Sequence, residues 1–260
     1  MSVVHLESPF WQRQPVLPLE IQRFLRHRIE AALGDPARRE LLVWPAVLGA
    51  PGLREQHPEG LPESLLLAHA AKMLAAVGES DPEAAWGRNL AELPDTAERG
   101  AAGWRPHASW GAWGPLVSLR SAWQLMALTP LPLGERYGLA CGISLFNHGL
   151  YHECHDALEP LWMEAAAPLK AGLQGLILMA AGLHHLQLHN TKGMAAVWEE
   201  ALARLAPFSG RLETPWGAVD FASAERLTAE RIAWLDAHPD PLDLRPLWTL
   251  PRPMWTLEDA

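Results

Sequence analysis

The sequence predicts an all-α protein: an up-and-down helical bundle with additional N-terminal helices packed on it. Its 23 prolines and 20 glycines divide the chain into segments. Within these segments apolar residues recur at helical spacing. No stretch shows sustained alternation of β-branched and polar residues, so no strand is predicted. At 260 residues the chain can bury a core large enough to fold without a disulfide or a metal.

Five helices are predicted in the first 130 residues, and each begins beside a proline: Pro18, Pro36, Pro62, Pro82 and Pro115. Asp35 and Asp81 precede two of these prolines, and aspartate followed by proline is typical of a capped helix start. Gly34 and Gly78 end the first and third helices, and the fifth ends near Pro130.

Two segments are less regular. Residues 94–114 combine glycine, proline and tryptophan, which indicates an ordered connection held by aromatic side chains. Residues 241–260 contain four prolines, which predict an extended strap with Trp248 and Trp255 against the body of the protein. A surface for a partner is the alternative for this strap. The 13 tryptophans are scattered along the chain, so packing explains them better than an aromatic-lined ligand groove.

Composition limits the partners and the cellular compartment that we expect for this protein. The net charge of −9 and the lack of a basic run argue against nucleic acid, and no apolar run approaches 18 residues, so no membrane span is expected. Cys141 and Cys154 are too few for a disulfide framework, and the first residues lack the pattern of a signal peptide. We therefore expect a cytoplasmic protein whose two thiols are small, buried core groups.

Six of the twelve histidines lie between residues 148 and 189. In this part of the chain one helix is predicted to end near Asn147, with Gly149 in the left-handed conformation that terminates it. Helices over 150–165 and 168–189 follow, and a fourth runs from Thr191 to just before Pro207. The short links between these helices predict antiparallel neighbours.

The helix over 150–165 carries a continuous polar stripe. Its members lie three and four residues apart on one face: His152, His155, Asp156 and Glu159. In an antiparallel hairpin the next helix brings Gln174 near the middle of this stripe. His184 and His185 then lie level with His148 and His152.

Three interpretations of the stripe stay open: a structural polar network, a site for a metal or small ligand, and catalysis without a metal. Imidazole and carboxylate at these spacings can converge on one divalent ion, although the spacings of zinc proteases and of ferritin-like bundles are absent. The candidate pocket residues are Glu153, His155, Asp156, Glu159, Gln174 and His184. The candidate metal ligands are His155, Glu159 and His184.

Residues 139–206 resemble the family named domain of unknown function 309, through the runs LFNHGLYHECHDALEPLW and LQGLILMAAGLHHLQLHNTKGMA. The matching positions include Asn147, Gly149, Glu153, His155, Asp156, Glu159, Trp162, Gln174, Gly175, His184, Asn190 and Gly193. Asp156 stands where the family has glutamate, and Met163 stands where a basic residue commonly follows the tryptophan. The resemblance implies a small up-and-down bundle and no established activity. A tetratricopeptide-like helix pair is a minor alternative, since no second copy of such a repeat is found.

We therefore expect three regions: helices of unknown role over 1–138, the bundle over 139–208, and a C-terminal helix with the strap over 209–260. The expected function is that of a soluble helical protein with a His/carboxylate pocket in a hairpin, either structural or binding a small ligand or a divalent metal. The alternative is a metal-dependent hydrolase in which Asp156 or Glu153 is the general base. Neither nucleic acid nor a membrane is an expected partner, whereas a homo-oligomer and a small-molecule ligand stay open.

Overall fold

The computed structural model is mostly helical, which confirms the predicted fold class. The structure describes residues 17–90, 97–131, 134, 136–239, 241 and 243–258. These residues form two compact units, one within Leu17–Pro132 and the other within Leu133–Ala260. In the described ranges no helix is both long enough and apolar enough to cross a membrane.

The N-terminal unit is built from short helices around a buried centre. Its α-helices are α1 (Leu19–Gly34), α2 (Val43–Leu48), α3 (Pro51–Gln56), α4 (Glu63–Ala76), α5 (Pro82–Asn89) and α6 (Gly114–Leu128). Two 3-10 helices, Pro36–Leu42 and Ala108–Trp113, and a hairpin of β1 (Ala97–Arg99) and β2 (Trp104–Pro106) complete it. Every residue of α2 is buried, and this helix packs against α4 and α6.

Both predicted aspartate caps are confirmed. The Asp35 carboxylate accepts a hydrogen bond from the Ala37 N–H at 3.0 Å, and that of Asp81 accepts one from the Ala84 N–H at 2.9 Å. The second cap begins α5, as expected. The first begins a 3-10 helix, Pro36–Leu42, so the five predicted starts correspond to four α-helices and one 3-10 helix.

Aromatic side chains hold the irregular connection in place, as its composition predicts. Residues 94–96 lie outside the described residues, and the rest forms the β1–β2 hairpin and the second 3-10 helix. The Trp104 ring meets the Trp86 ring edge-on at 5.0 Å, and Trp86 meets Trp44 in the same way at 4.9 Å. Trp110 is buried, with its ring centroid 5.6 Å from that of Phe24.

The C-terminal unit contains the four helices predicted around the histidines, each within two residues of its predicted bounds. Its α-helices are α7 (Tyr137–Asn147), α8 (Tyr151–Glu164), α9 (Leu169–Gln187), α10 (Thr191–Leu205), α11 (Ala222–Ala237) and α12 (Arg245–Thr249). Helices α7 to α10 pack in sequence order, each against the next. Residues 209–258 belong to this same unit.

Five short strands correct the expectation that the chain forms none. Besides the β1–β2 hairpin, β3 (Arg211–Thr214), β4 (Gly217–Asp220) and β5 (Thr256–Glu258) form an antiparallel sheet in the order β3-β4-β5. Strands of three or four residues are too short to show the alternation that identifies a strand. The partner of β4 on its other side comes from the far end of the chain, and no local pattern indicates such a pairing.

Glycines set the spacing of the helices beside the polar stripe. A Cβ at Gly142 in α7 would overlap the Leu158 side chain of α8, and one at Gly182 in α9 would overlap the indole of Trp198 in α10. Trp198 is fully buried, and its Nε1–H donates a hydrogen bond to the Met179 carbonyl oxygen at 3.3 Å. Close packing therefore sets the distance between α7 and α8 and the distance between α9 and α10.

The strap packs against its own unit. The Trp255 ring stacks on Phe146 of α7, with centroids 3.6 Å apart and an interplanar angle of 7°. Asn147 exchanges two hydrogen bonds with the Trp255 backbone, at 2.8 and 3.0 Å. Arg231 of α11 donates to the carbonyl oxygens of Leu250 and Pro251. The path is extended except at α12, and Trp248 is half-buried there.

Replacing the stacked tryptophan tests whether the strap stabilises the fold. Trp255 is 1% exposed, so Trp255→Ala leaves a large cavity and should lower the free energy of unfolding by about 3 kcal/mol or more. Met254 is an exposed neighbour in the same strap, and Met254→Ala should cost less than about 0.5 kcal/mol. Urea denaturation followed by circular dichroism compares the two. Equal losses would mean that the stack contributes nothing specific.

Candidate functional site

Three ligand-type side chains of α8 converge on one half-buried face. His155, Asp156 and Glu159 each offer one nitrogen or oxygen atom, and these atoms lie within 4.8 Å of one another. The three positions are one, three and four residues apart in the sequence, so α8 alone holds the cluster together. Its formation does not depend on any loop.

Asp156 sets the proton position on the neighbouring imidazole. Nδ1 of His155 lies 3.1 Å from Oδ1 of Asp156. A carboxylate only accepts hydrogen bonds, so Nδ1 carries the proton and donates it. Nε2 of a neutral His155 then keeps its lone pair. Nδ1 of His152 is 3.7 Å from the same carboxylate oxygen, so two imidazoles flank Asp156.

Glu159 differs from its neighbours because it has no partner in the described part of the chain. Its side chain is half-buried, and it makes no hydrogen bond or ion pair with any residue there. The next residue, Pro160, has no N–H to donate to the Asp156 carbonyl, so α8 lacks one helical hydrogen bond at the cluster. The Glu159 carboxylate is therefore free to bind something other than the fold.

His184 of α9 lies level with His152, as the antiparallel hairpin predicts. The two ring centroids are 5.2 Å apart. His184 was predicted to join His155 and Glu159, but within the described residues the three-residue cluster holds Asp156 instead. His184 lies at the edge of the same polar face through its contact with His152.

Gln187 is the residue that sequence reasoning missed. It is 1% exposed, and its Nε2 donates a hydrogen bond to the Gly149 carbonyl oxygen at 2.9 Å. That bond turns its Oε1 toward His184, whose Nδ1 is 3.5 Å away. The available signal was a glutamine three residues after His184 on an otherwise apolar helix, which places both on one face.

The other two predicted pocket residues lie outside the three-residue cluster. Glu153 is buried in α8. Gln174 is half-buried, and it makes no hydrogen bond with any residue that the structure describes. None of the six predicted pocket residues is exposed.

Two further histidines near the stripe bind the backbone or a helix cap. Nδ1 of His148 donates to the Ser144 carbonyl oxygen at 2.7 Å. Nδ1 of His185 accepts from the Asn190 side-chain amide at 3.2 Å, and the Asn190 oxygen caps α10 by accepting from the Gly193 N–H. These contacts stabilise helix ends, so both histidines have structural roles.

The part of the chain that carries the cluster is similar to a known sequence family. Residues 139–197 match the sequence model described as Domain of unknown function (DUF309). The DUF309 segment runs from α7 into α10 and contains the whole cluster, and it covers less than a quarter of the chain. Neither the curated proteins nor the solved structures contain a match to the chain.

A stability comparison separates Glu159 from the structural residues of the DUF309 segment. Glu159→Gln should change the free energy of unfolding by less than about 0.5 kcal/mol, because the carboxylate has no partner in the described residues. Gln187→Ala should cost about 1–3 kcal/mol, because it strands the buried Gly149 carbonyl. Denaturant titration measures both. A loss for Glu159→Gln as large as that for Gln187→Ala would assign Glu159 to the fold.

Thiol labelling tests the predicted inertness of the cysteines. Cys141 and Cys154 are both buried, and burial, with the nearby charges of Glu153 and Asp156, raises the pKa of the Cys154 thiol. A raised pKa leaves less of the reactive thiolate at any given pH. Ellman's reagent at pH 8 should therefore label neither thiol in the native protein and both in denaturant. Rapid native labelling would contradict the buried placement.

Proposed function

We propose that the chain binds a divalent transition metal ion through His155, Asp156 and Glu159 of the DUF309 segment. The convergence of three ligand-type atoms within 4.8 Å supports this proposal. One imidazole nitrogen combined with carboxylate oxygens suits Zn²⁺, Fe²⁺ or Mn²⁺ better than it suits Cu⁺ or Ca²⁺. The function is thus that of a metal-binding helical protein.

The hydrogen bond within the cluster favours coordination through the other imidazole nitrogen. Because His155 donates its Nδ1 proton to Asp156, Nε2 is the ring nitrogen that would coordinate the metal. A carboxylate that holds a histidine in this way also increases the basicity of the imidazole. In the proposed site Asp156 orients His155, and Asp156 and Glu159 each supply a carboxylate oxygen to the ion.

The observation that carries the proposal is the lack of a partner for Glu159. A polar network that serves only the fold hydrogen-bonds its members to one another. Glu159 has no such bond with any described residue. A ligand that satisfies this carboxylate explains the arrangement better than helix register does.

Metal-dependent hydrolysis is the second candidate function. A cluster of three protein ligands leaves a coordination position for water, and a bound metal lowers the pKa of that water toward neutrality. With Asp156 in the cluster, Glu153 is the remaining candidate for general base. The half-exposed His155 favours this option, because a substrate can reach the face on which it lies.

Elemental analysis of protein purified without a tag or chelator is the first test. We expect about one equivalent of a transition metal per chain, or its recovery on equilibrium dialysis against Zn²⁺ or Mn²⁺. His155→Ala and Glu159→Gln should each weaken metal binding by about tenfold or more. Binding should also weaken as the pH falls, because protons compete with the metal for the ligand atoms.

Glu164→Gln is the matched control. Glu164 is an exposed carboxylate near the end of the same helix and lies outside the cluster, so its variant should bind metal as the parent does. Absence of metal, combined with a lower melting temperature for the His155→Ala/Glu159→Ala variant, would favour a structural network instead.

A further inference from the structure

We propose that the N-terminal unit binds a small organic phosphate that carries an aromatic or other flat apolar group. The site is a cleft between α1 and the 3-10 helices Pro36–Leu42 and Ala108–Trp113. Its volume of about 740 Å³ lies in the range of small-molecule pockets. The cleft shares no residue with the proposed metal site.

The apolar part of the cleft consists of aromatic and aliphatic side chains. Ile21 and Trp110 are buried, and the Phe24 ring lies 5.6 Å from that of Trp110 at an angle of 58°. Because Trp110 and Ile21 are only 2% and 3% exposed, the half-buried Phe24 ring is the aromatic surface that a flat ligand can contact. The cleft therefore favours a ligand with an apolar body over an inorganic ion.

The cleft is lined by more arginines than carboxylates, although the chain as a whole is acidic. Three arginines line the cleft, Arg23, Arg28 and Arg38, against one carboxylate, that of Glu20. The chain as a whole has a net charge of −9, so the predominance of arginine over carboxylate in this lining departs from the composition of the chain. Guanidinium groups stay charged at all physiological pH values and bind phosphate through paired hydrogen bonds.

The three arginines differ in their burial and in their contacts with the rest of the unit. Arg28 is buried, donates to the Leu41 carbonyl oxygen at 2.9 Å, and lies 4.7 Å from the Phe24 ring centroid, so it mainly supports the cleft. Arg23 is exposed and has no ion-pair partner anywhere in the described residues. Arg23 is therefore the guanidinium best placed to bind a ligand.

Neutral donors complete the polar side of the cleft. Nδ1 of His107 accepts a hydrogen bond from the Ser109 N–H at 3.2 Å and lies 2.8 Å from its hydroxyl oxygen. The proton of a neutral His107 is then on Nε2, which is a donor. His27 lies one helical turn after Arg23, on the same face of α1. A phosphate has three terminal oxygens to share among donors from separate elements, whereas a carboxylate has two.

Calorimetric titration of the full chain with phenyl phosphate tests the proposal, with inorganic phosphate and phenol as partial probes. We expect phenyl phosphate to bind about tenfold or more tightly than either, because only it uses both the charged and the aromatic sides of the cleft. Failure of phenyl phosphate to bind at millimolar concentration would overturn the proposal. Equal binding of either partial probe would overturn it too.

Substitutions in α1 test whether phenyl phosphate binds in this cleft. Arg23→Gln should weaken phenyl phosphate binding by about tenfold, the usual effect of losing a charge-assisted hydrogen bond. Arg26→Gln is the matched control, because Arg26 lies on the same helix outside the cleft and pairs with Glu30 at 2.7 Å. His155→Ala should leave this affinity unchanged. Equal affinities for the Arg23 and Arg26 variants would show that the anion binds elsewhere.

Discussion

One buried hydrogen bond, from the Gln187 side chain to the Gly149 carbonyl, orders the polar face of the C-terminal unit. It ties the last turn of α9 to the turn between α7 and α8. Gly149 makes that turn with a positive φ of 78°, which glycine adopts without strain. Because His184 precedes Gln187 by three residues and His152 follows Gly149 by three, the bond places the two imidazoles level with each other. Without it, water would have to reach two buried polar groups.

Apolar packing on the opposite side of α9 complements this bond. Trp198 of α10 occupies a position that exists only because residue 182 has no side chain, and Leu205 lies against Gly175 in the same way. The residues that match the DUF309 pattern therefore divide into two groups. Gly175 and Asn190 have clear structural roles, in helix contact and in capping α10. Glu159, which matches equally well, has no structural partner in the described residues.

The difference between local and long-range contacts explains which features could be predicted from the sequence. Helix bounds around the histidines depend on local signals, namely apolar spacing, the Gly149 turn and nearby prolines, and the structure reproduces them within two residues. The polar stripe of α8 is also local, because residues three and four apart share a face whatever the tertiary fold. Pairing of β4 with β5 joins distant segments, and no short pattern encodes it. The rotation of α9 about its axis is equally non-local, so spacing alone could not place His184 outside the cluster or reveal Gln187.

The features of α8 at the cluster run against helix stability, and this is the strongest argument that the cluster has a function. Pro160 removes a hydrogen bond from the helix, and proline inside a helix generally costs about 3 kcal/mol. Glu159 adds a half-buried carboxylate that is not satisfied by the described residues. A helix that serves stability alone would avoid an internal proline, and Glu159 adds no contact with the described residues. Departures from local rules that have no structural compensation are typical of functional sites. Here two such departures are adjacent in the sequence and lie within about one helical turn of His155, in the same cluster.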